Sequence, residues 1–372
     1  MKIKGDHFFN GLWHQGKGER FTTLNPATQE VLADFHHADG TEVNAAVRSA
    51  KEAFHMWSRM TLDARIFVLN KFVLALHDAK EQLSETISRE TGKPLWEAES
   101  EVRAMLNKIP ITIEAYQDRC VNLKINQVSD SQKTIFKPHG VVAVIGPFNL
   151  PGHLAHGHIV PALLAGNTCV YKPSEQTPLV GYLYARLWEE TGLPQGVFQL
   201  IQGGKETGMA LSMNDDLKGL YFTGSATAGR AIHHLFGGHP ERILALEMGG
   251  NNPLVVGQVN DLRAAAYIIA QSAFLTSGQR CTCARRLIMI ENESTDALLE
   301  KLVKVCGSIQ VGPYDGVPEP FMGPVISLEA AENINRFYHD ILYSGGKDLL
   351  PMKAGDPPNM LSPGIVDVTG VQ

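Results

Sequence analysis

Residues 139–172 read HGVVAVIGPFNLPGHLAHGHIVPALLAGNTCVYK. Val141–Ile145 is a short, nearly continuous apolar run ending at Gly146-Pro147, and Thr168–Tyr171 is another, ending at Lys172-Pro173. The stretch between them reads as a helix running to Ala165-Gly166. A strand without polar alternation has no solvated face, so such strands spaced by helices predict a parallel sheet covered on both sides. The pattern continues outward. A helix over Thr177–Glu190 stops at a Thr-Gly-Leu-Pro segment, and Val197–Ile201 repeats the strand. Glu206–Ser212 is a short helix, Leu220–Phe222 a strand, Ala226–Leu235 a helix, and Ile243–Leu246 closes the series. Five such strands predict a doubly wound α/β sheet, whose ligands bind outside the C-terminal ends of the strands.

Before this region the chain reads as a lead-in followed by helices. Thr41 is placed to cap a segment whose apolar positions Val43, Val47, Ala50, Phe54 and Trp57 recur at helical steps. A longer helix is expected from Thr61, with Ile66, Leu69, Phe72, Val73, Leu76, Leu83 and Ile87 on one stripe and Gly92 and Pro94 as the stop. Alternation around residues 120–136 predicts a hairpin. After residue 247 a second α/β unit is expected, with a helix from Asp261 to about Leu275, a strand near Leu287–Ile290 and a helix from Ser294 to about Cys306. The last fifty residues are rich in Gly and Pro and carry no expected closing helix or strand. The resulting division is a cofactor-type domain over 1–247 and a second domain over 248–372.

The 372 residues fit two or three domains at roughly 100–200 residues each. Hydrophobic residues make up 44% and charged ones 19%, enough apolar surface for a sizeable core. The net charge of −6 argues against a protein defined by nucleic-acid or anionic-membrane binding. No apolar run approaches the ~18–20 residues that cross a bilayer, and the polar start MKIKGDHFFNG lacks the apolar stretch of an export signal. Five cysteines, an odd number, do not make a disulfide scaffold; a reducing cytoplasm fits them best.

Several strand ends carry groups with two readings. Gly224-Ser-Ala-Thr-Ala-Gly229 opens a helix and offers free N–H groups to a phosphate, or is an ordinary glycine-rich turn; it is neither a Walker loop nor GxGxxG. Lys172 and Glu175 suit ribose hydroxyls, the carboxylate repelling a 2′-phosphate, or form a solvated helix start. Asn149, in Pro147-Phe-Asn-Leu-Pro151, is a rigidly held amide donor for an oxyanion or a turn former. Glu247 interrupts an apolar strand; if buried there, its pKa rises toward that of a working base, and otherwise it is simply exposed at the strand end. Cys281, in FLTSGQRC, has Arg280 beside it to favour a thiolate, or is a small buried hydrophobe. Cys281-Thr-Cys283 lacks the second ligand pair of a structural zinc site, and the fourteen histidines show no metal spacing, so no metal is expected. His153, His156 and His158 read as part of a loop or helix face.

Together PFNLP, KPSEQTP, FTGSATAG, LEMGGNNP and FLTSGQRC, with MGPVIS near residue 322, resemble the NAD(P)-dependent aldehyde dehydrogenase superfamily, in that family's order and over nearly the whole chain. The resemblance implies that Cys281 is the nucleophile, Glu247 the general base and Asn149 the oxyanion donor. It also implies that Lys172 and Glu175 contact the adenosine ribose of NAD, and that Gly224, Ser225, Ala226, Thr227, Ala228 and Gly229 form the turn beside the pyrophosphate. A small-molecule aldehyde would be the substrate. Homo-oligomers are usual in the family, with the 120–136 hairpin a candidate oligomerisation element. The family's later Glu-x-Phe-Gly-Pro segment and C-terminal strand do not follow here; Glu319-Pro-Phe-Met-Gly-Pro324 has the wrong spacing. The chain therefore reads as stopping inside the catalytic domain. Two alternatives remain open: a dinucleotide-binding chain without turnover, and a cysteine hydrolase or acyltransferase using Cys281 and Glu247. A carboxylate-bearing substrate would call for arginines, with Arg103, Arg119 and Arg280 as candidates.

Overall fold

Val141–Ile145 and Thr168–Lys172 are buried along their whole length, as unbroken apolar strands require. They sit inside a seven-stranded sheet in the computed structural model, which describes residues 3–120, 123–124 and 133–371. From one edge the strands are Ile243–Met248, Leu217–Gly224, Val141–Ile145, Thr168–Lys172 and Phe198–Leu200, then His7–Phe9 and Leu12–His14. The first five are parallel, and the two N-terminal strands add antiparallel pairs at the far edge. Numbered in chain order, the parallel strands run 5-4-1-2-3 from that edge, which read from the other side is the doubly wound order 3-2-1-4-5. The core joins Val141, Ala143, Ile145, Val170, Leu220 and Phe222 to Val43, Val47 and Ala50 of the Gly40–Trp57 helix and to Ile232 and Phe236 of the Ala226–Phe236 helix. His153–Leu164, Pro178–Glu190 and Lys205–Ser212 are the other crossover helices.

The chain divides into two compact units. One holds Met1–Thr23, Ala33–Thr86 and Glu99–Met248; the other holds Leu24–Leu32, Ile87–Ala98 and Gly249–Gln372. The two early segments of the second unit lie within the stretch that the sequence reading assigned to residues 1–247. The second unit contains a parallel pair, Asn252–Val256 with Ala284–Met289, packed on the Leu262–Phe274 and Thr295–Gly307 helices around Ala266, Ile269, Ala270, Leu298, Leu302 and Cys306.

Local expectations fail where side chains compete for the same role. The cap at Thr41 is instead Asp39, which accepts from the Glu42 N–H at 2.9 Å while the Glu42 carboxylate accepts from the Asp39 N–H at 3.0 Å. That reciprocal box satisfies two orphan donors, and Thr41 only supports it by donating to Asp39. The long helix from Thr61 is two helices, Leu62–Asp78 and Lys80–Thr91, broken at Ala79 where ψ falls to 5°. A helix over Leu95–Arg119 goes unrecognised in sequence because Pro110 interrupts its pattern. The strand Asn252–Val256 is likewise missed, starting as it does at Asn-Pro. The Gly/Pro-rich end contains an amphipathic helix, Leu328–Tyr343, capped by Ser327, and a short antiparallel pair, Lys347–Leu350 with Ile365–Asp367. The expected hairpin appears as Leu123–Lys124 paired antiparallel with Lys133–Thr134; the stretch joining them lies outside the described residues.

Candidate active site

The sheet order reverses between Val141–Ile145 and Leu217–Gly224, and ligands of such sheets bind in the crevice at that switch, beyond the strand C-termini. Two of the segments singled out in sequence leave from these two strands. After Ile145 the chain runs through Gly146-Pro147 into the half-buried Asn149 and then the His153–Leu164 helix. The start of that helix is held by a buried carboxylate: Glu101 Oε1 accepts from the N–H groups of Gly152 at 2.9 Å and His153 at 3.0 Å. Sequence reasoning misses Glu101, because nothing in a helical EAESEV stretch marks which glutamate points inward.

After Gly224, Ser225 caps the Ala226–Phe236 helix by accepting from the Ala228 N–H at 3.2 Å. A side chain at Gly229 would collide with the Met248 side chain, so glycine lets the helix approach the neighbouring strand. Lys172 ends its strand 4% exposed, and its ammonium donates to the carbonyls of Pro173 (2.7 Å) and Gly203 (2.6 Å). Burial pushes its pKa down, while Glu175, 3.6 Å away and half exposed, pulls the other way. Lys172 therefore knits two strand ends together, and Glu175 is the freer of the pair.

Glu247 lies opposite Thr223 near the end of the edge strand and is exposed. The buried carboxyl expected as one reading is not present, because an edge strand leaves that position open to water. Two residues earlier, Ala245 pairs with Tyr221, whose ring is stacked on His158 with centroids 5.4 Å apart. Burial lowers the His158 pKa and the Glu247 charge opposes the shift. His153, His156 and His158 share the His153–Leu164 helix; His156 is fully buried between Tyr184 Oη and the Met105 carbonyl, both at 3.0 Å.

In the second unit, Cys281 is exposed and Cys283 buried. The turn before them is unusual: Thr276, Ser277 and Gly278 have φ of 55°, 54° and 72°. Left-handed residues other than glycine cost roughly 1–2 kcal/mol each, and a β-branched threonine there is a true outlier. The turn is held by Glu97, which is buried. Its Oε2 accepts from the Thr276 N–H at 3.1 Å, and its Oε1 accepts from both the Thr276 hydroxyl and the Arg280 guanidinium. Arg280 Nε also donates to Thr276 Oγ1 at 2.7 Å. The guanidinium of Arg280, next to Cys281 in sequence, is thus paired with Glu97. Asn252 Nδ2 donates to the carbonyls of Cys281 (2.6 Å) and Cys283 (3.1 Å), and burial raises the Cys283 thiol. Neither Glu97 nor Asn252 was singled out in sequence. Arg103 and Arg119 are exposed. Among the described residues no group of three or more His, Cys, Asp or Glu is placed to hold a metal ion, and no helix is long and apolar enough to cross a membrane.

Residues 13–370 match the model of the aldehyde dehydrogenase family. The chain belongs to the aldehyde dehydrogenase family. It is therefore a member of an oxidoreductase family, and its α/β architecture is that family's fold. An N-succinylglutamate 5-semialdehyde dehydrogenase of Pseudomonas fluorescens is 50% identical over 366 residues, which cover 98% of this chain and 75% of that protein. A Sinorhizobium meliloti 1021 structure, assigned as a methylmalonate-semialdehyde dehydrogenase and complexed with NAD, superposes with a TM-score of 0.91 at 27% identity, covering 98% of this chain and 75% of that one. An Escherichia coli NADP-dependent enzyme gives a TM-score of 0.92 at 28% identity, covering 99% and 77%. The two neighbours thus name different cofactors, so the fold alone does not choose between them.

Proposed function

We propose that this chain oxidises an aldehyde to a carboxylate with NAD, through a covalent adduct on Cys281, and that its substrate is N-succinyl-L-glutamate 5-semialdehyde in arginine catabolism. The observation that carries the reading is the exposed Cys281 thiol directly after a strained, tightly held turn, with Cys283 buried two residues on. Strain of this kind persists only where the surroundings enforce it, and it clusters at working sites. The substrate rests on the 50% identical Pseudomonas relative.

The Cys281 thiolate adds to the aldehyde carbon; a C–S bond forms and the carbonyl electron pair moves to oxygen. The Asn149 amide donates to that oxyanion, a contribution of about 2.7–4 kcal/mol for one such donor. Bound nicotinamide would supply the acceptor for the hydrogen and electron pair that the tetrahedral carbon loses. The resulting thioester is cleaved by water, from which Glu247 takes a proton, and the Cys281 thiolate departs. An exposed Glu247 suits this step, because its carboxylate meets water directly.

The residues around the strand ends fit a dinucleotide. Ser225 occupies the Ala228 N–H, and helix geometry leaves those of Ala226 and Thr227 for a phosphate. The half-exposed Glu175 would accept from a ribose hydroxyl and repel a 2′-phosphate, which favours NAD over NADP. Five free thiols suit a reducing cytoplasm, and the short Leu123–Thr134 pairing is a candidate contact for a homo-oligomer.

A panel of semialdehydes with and without carboxylates, each with NAD and NADP, tests the assignment. The expected kcat/KM for the succinylated dicarboxylic semialdehyde exceeds that of uncharged aldehydes by at least about a hundredfold. A flat panel removes the substrate and leaves the reaction class. Equal use of both cofactors, unchanged in Glu175→Gln, removes the role of Glu175.

A further inference from the structure

Three groups outside the usual reading of the site meet on the turn that precedes Cys281. The Glu97 carboxylate, the Thr276 hydroxyl and the Arg280 guanidinium close a ring of hydrogen bonds: Arg280 donates to both others, and Thr276 donates to Glu97. Glu97 also takes the Thr276 backbone N–H. With three donors directed at it, the carboxylate acts purely as an acceptor. A buried carboxylate paired with a guanidinium is an expensive element to maintain and is not the simplest way to stabilise a loop. Here it sits where the backbone is least willing to go, at two consecutive left-handed residues that are not glycine. The rest of the turn is tied as well: Ser277 Oγ donates to the Gly323 carbonyl at 2.7 Å, and Gln279 Oε1 accepts from the Ile326 N–H at 3.0 Å. Beyond it, Asn252 holds the carbonyls on either side of Thr282. Cys281 thereby lies exposed between two pinned points, while the sulfur of Cys283 turns toward the Leu275 carbonyl.

We propose that Glu97 is a positioning residue for the Cys281 nucleophile: with Thr276 and Arg280 it enforces the left-handed turn that presents the thiol, and it touches no substrate itself. This rests on the reading of Cys281 as nucleophile only for its consequence in turnover; the presentation of the thiol is a property of the fold. Without the clamp, Thr276 and Ser277 relax toward right-handed backbone and the exposed setting of Cys281 is lost.

The test uses the chain as it stands. Cys281 alkylation by iodoacetamide is followed by peptide mass spectrometry, with Cys120 as internal reference, in the wild type, Glu97→Gln, Thr276→Val and Thr276→Ser. Thr276→Val keeps the shape and removes the hydroxyl; Thr276→Ser restores the hydroxyl. Alkylation of Cys281 is expected to slow at least threefold relative to Cys120 in Glu97→Gln and Thr276→Val, and to stay within twofold of wild type in Thr276→Ser. In aldehyde oxidation the first two lower kcat with KM held within twofold. Wild-type alkylation rates in both Glu97→Gln and Thr276→Val overturn the proposal, as does a Thr276→Ser variant no better than Thr276→Val. If the alkylation pattern holds while the wild type oxidises no aldehyde, the clamp stands and the nucleophile assignment falls.

Discussion

The parallel sheet of the first unit and the Thr276–Cys281 segment of the second obey local rules to opposite degrees. In the sheet, apolar runs become buried strands, crossover helices follow them, and even the polar exceptions are satisfied, as with Lys172 on its two carbonyls. In the segment, a β-branched residue takes a left-handed backbone, a buried carboxylate holds it, and the thiol that follows is left exposed. Agreement across levels gives a scaffold, and its violation marks the place where chemistry is expected.

The two cysteines at the end of that segment give the largest expected effect. Cys281→Ala should cut aldehyde oxidation by at least about 10⁴-fold, on the scale of removing a nucleophile elsewhere. Cys283→Ala, which removes a buried thiol with a raised pKa, should keep activity within about tenfold. Similar losses in both would erase the distinction between presented and packed sulfur.

Acid should expose the opposite weakness, in the sheet unit. Burial holds the His156 imidazole neutral, with its pKa pushed down to about 3 from 6.5. Between those values the unfolded chain binds the proton and the folded one does not, so stability falls as pH drops from about 6.5 toward 3. The loss from one such ring is of order a few kcal/mol. Hydrogen exchange at pH 7 and pH 5 should show opening of the His153–Leu164 and Pro178–Glu190 helices, reduced in His156→Gln. Equal acid sensitivity in that variant would assign the effect to other groups.

The same contrast explains what could be read in advance. The strands of the parallel sheet were legible because Val141–Ile145, Thr168–Lys172 and Phe198–Leu200 are buried throughout, and burial of that kind writes itself as short runs without polar alternation. Asn149, Glu175 and Ser225 stand out in sequence because each follows such a strand, and Lys172 because it ends one. Glu97, Glu101 and Asn252 were not, since their roles depend on contacts with Thr276, Gly152 and Cys281 at distant positions in the chain. The Leu328–Tyr343 helix was hidden by the glycines and prolines on both sides of it. The two readings of Glu247 stay open in sequence because nothing there tells which strand of a sheet forms its edge.

The most direct measurement is intact-protein and peptide mass spectrometry of a Glu247→Gln variant mixed with aldehyde and NAD. With water activation impaired, one acyl group per chain should accumulate on Cys281, with one equivalent of reduced nicotinamide released in a burst. Aldehyde oxidation without any adduct at Cys281, or an adduct located at another residue, would contradict the account.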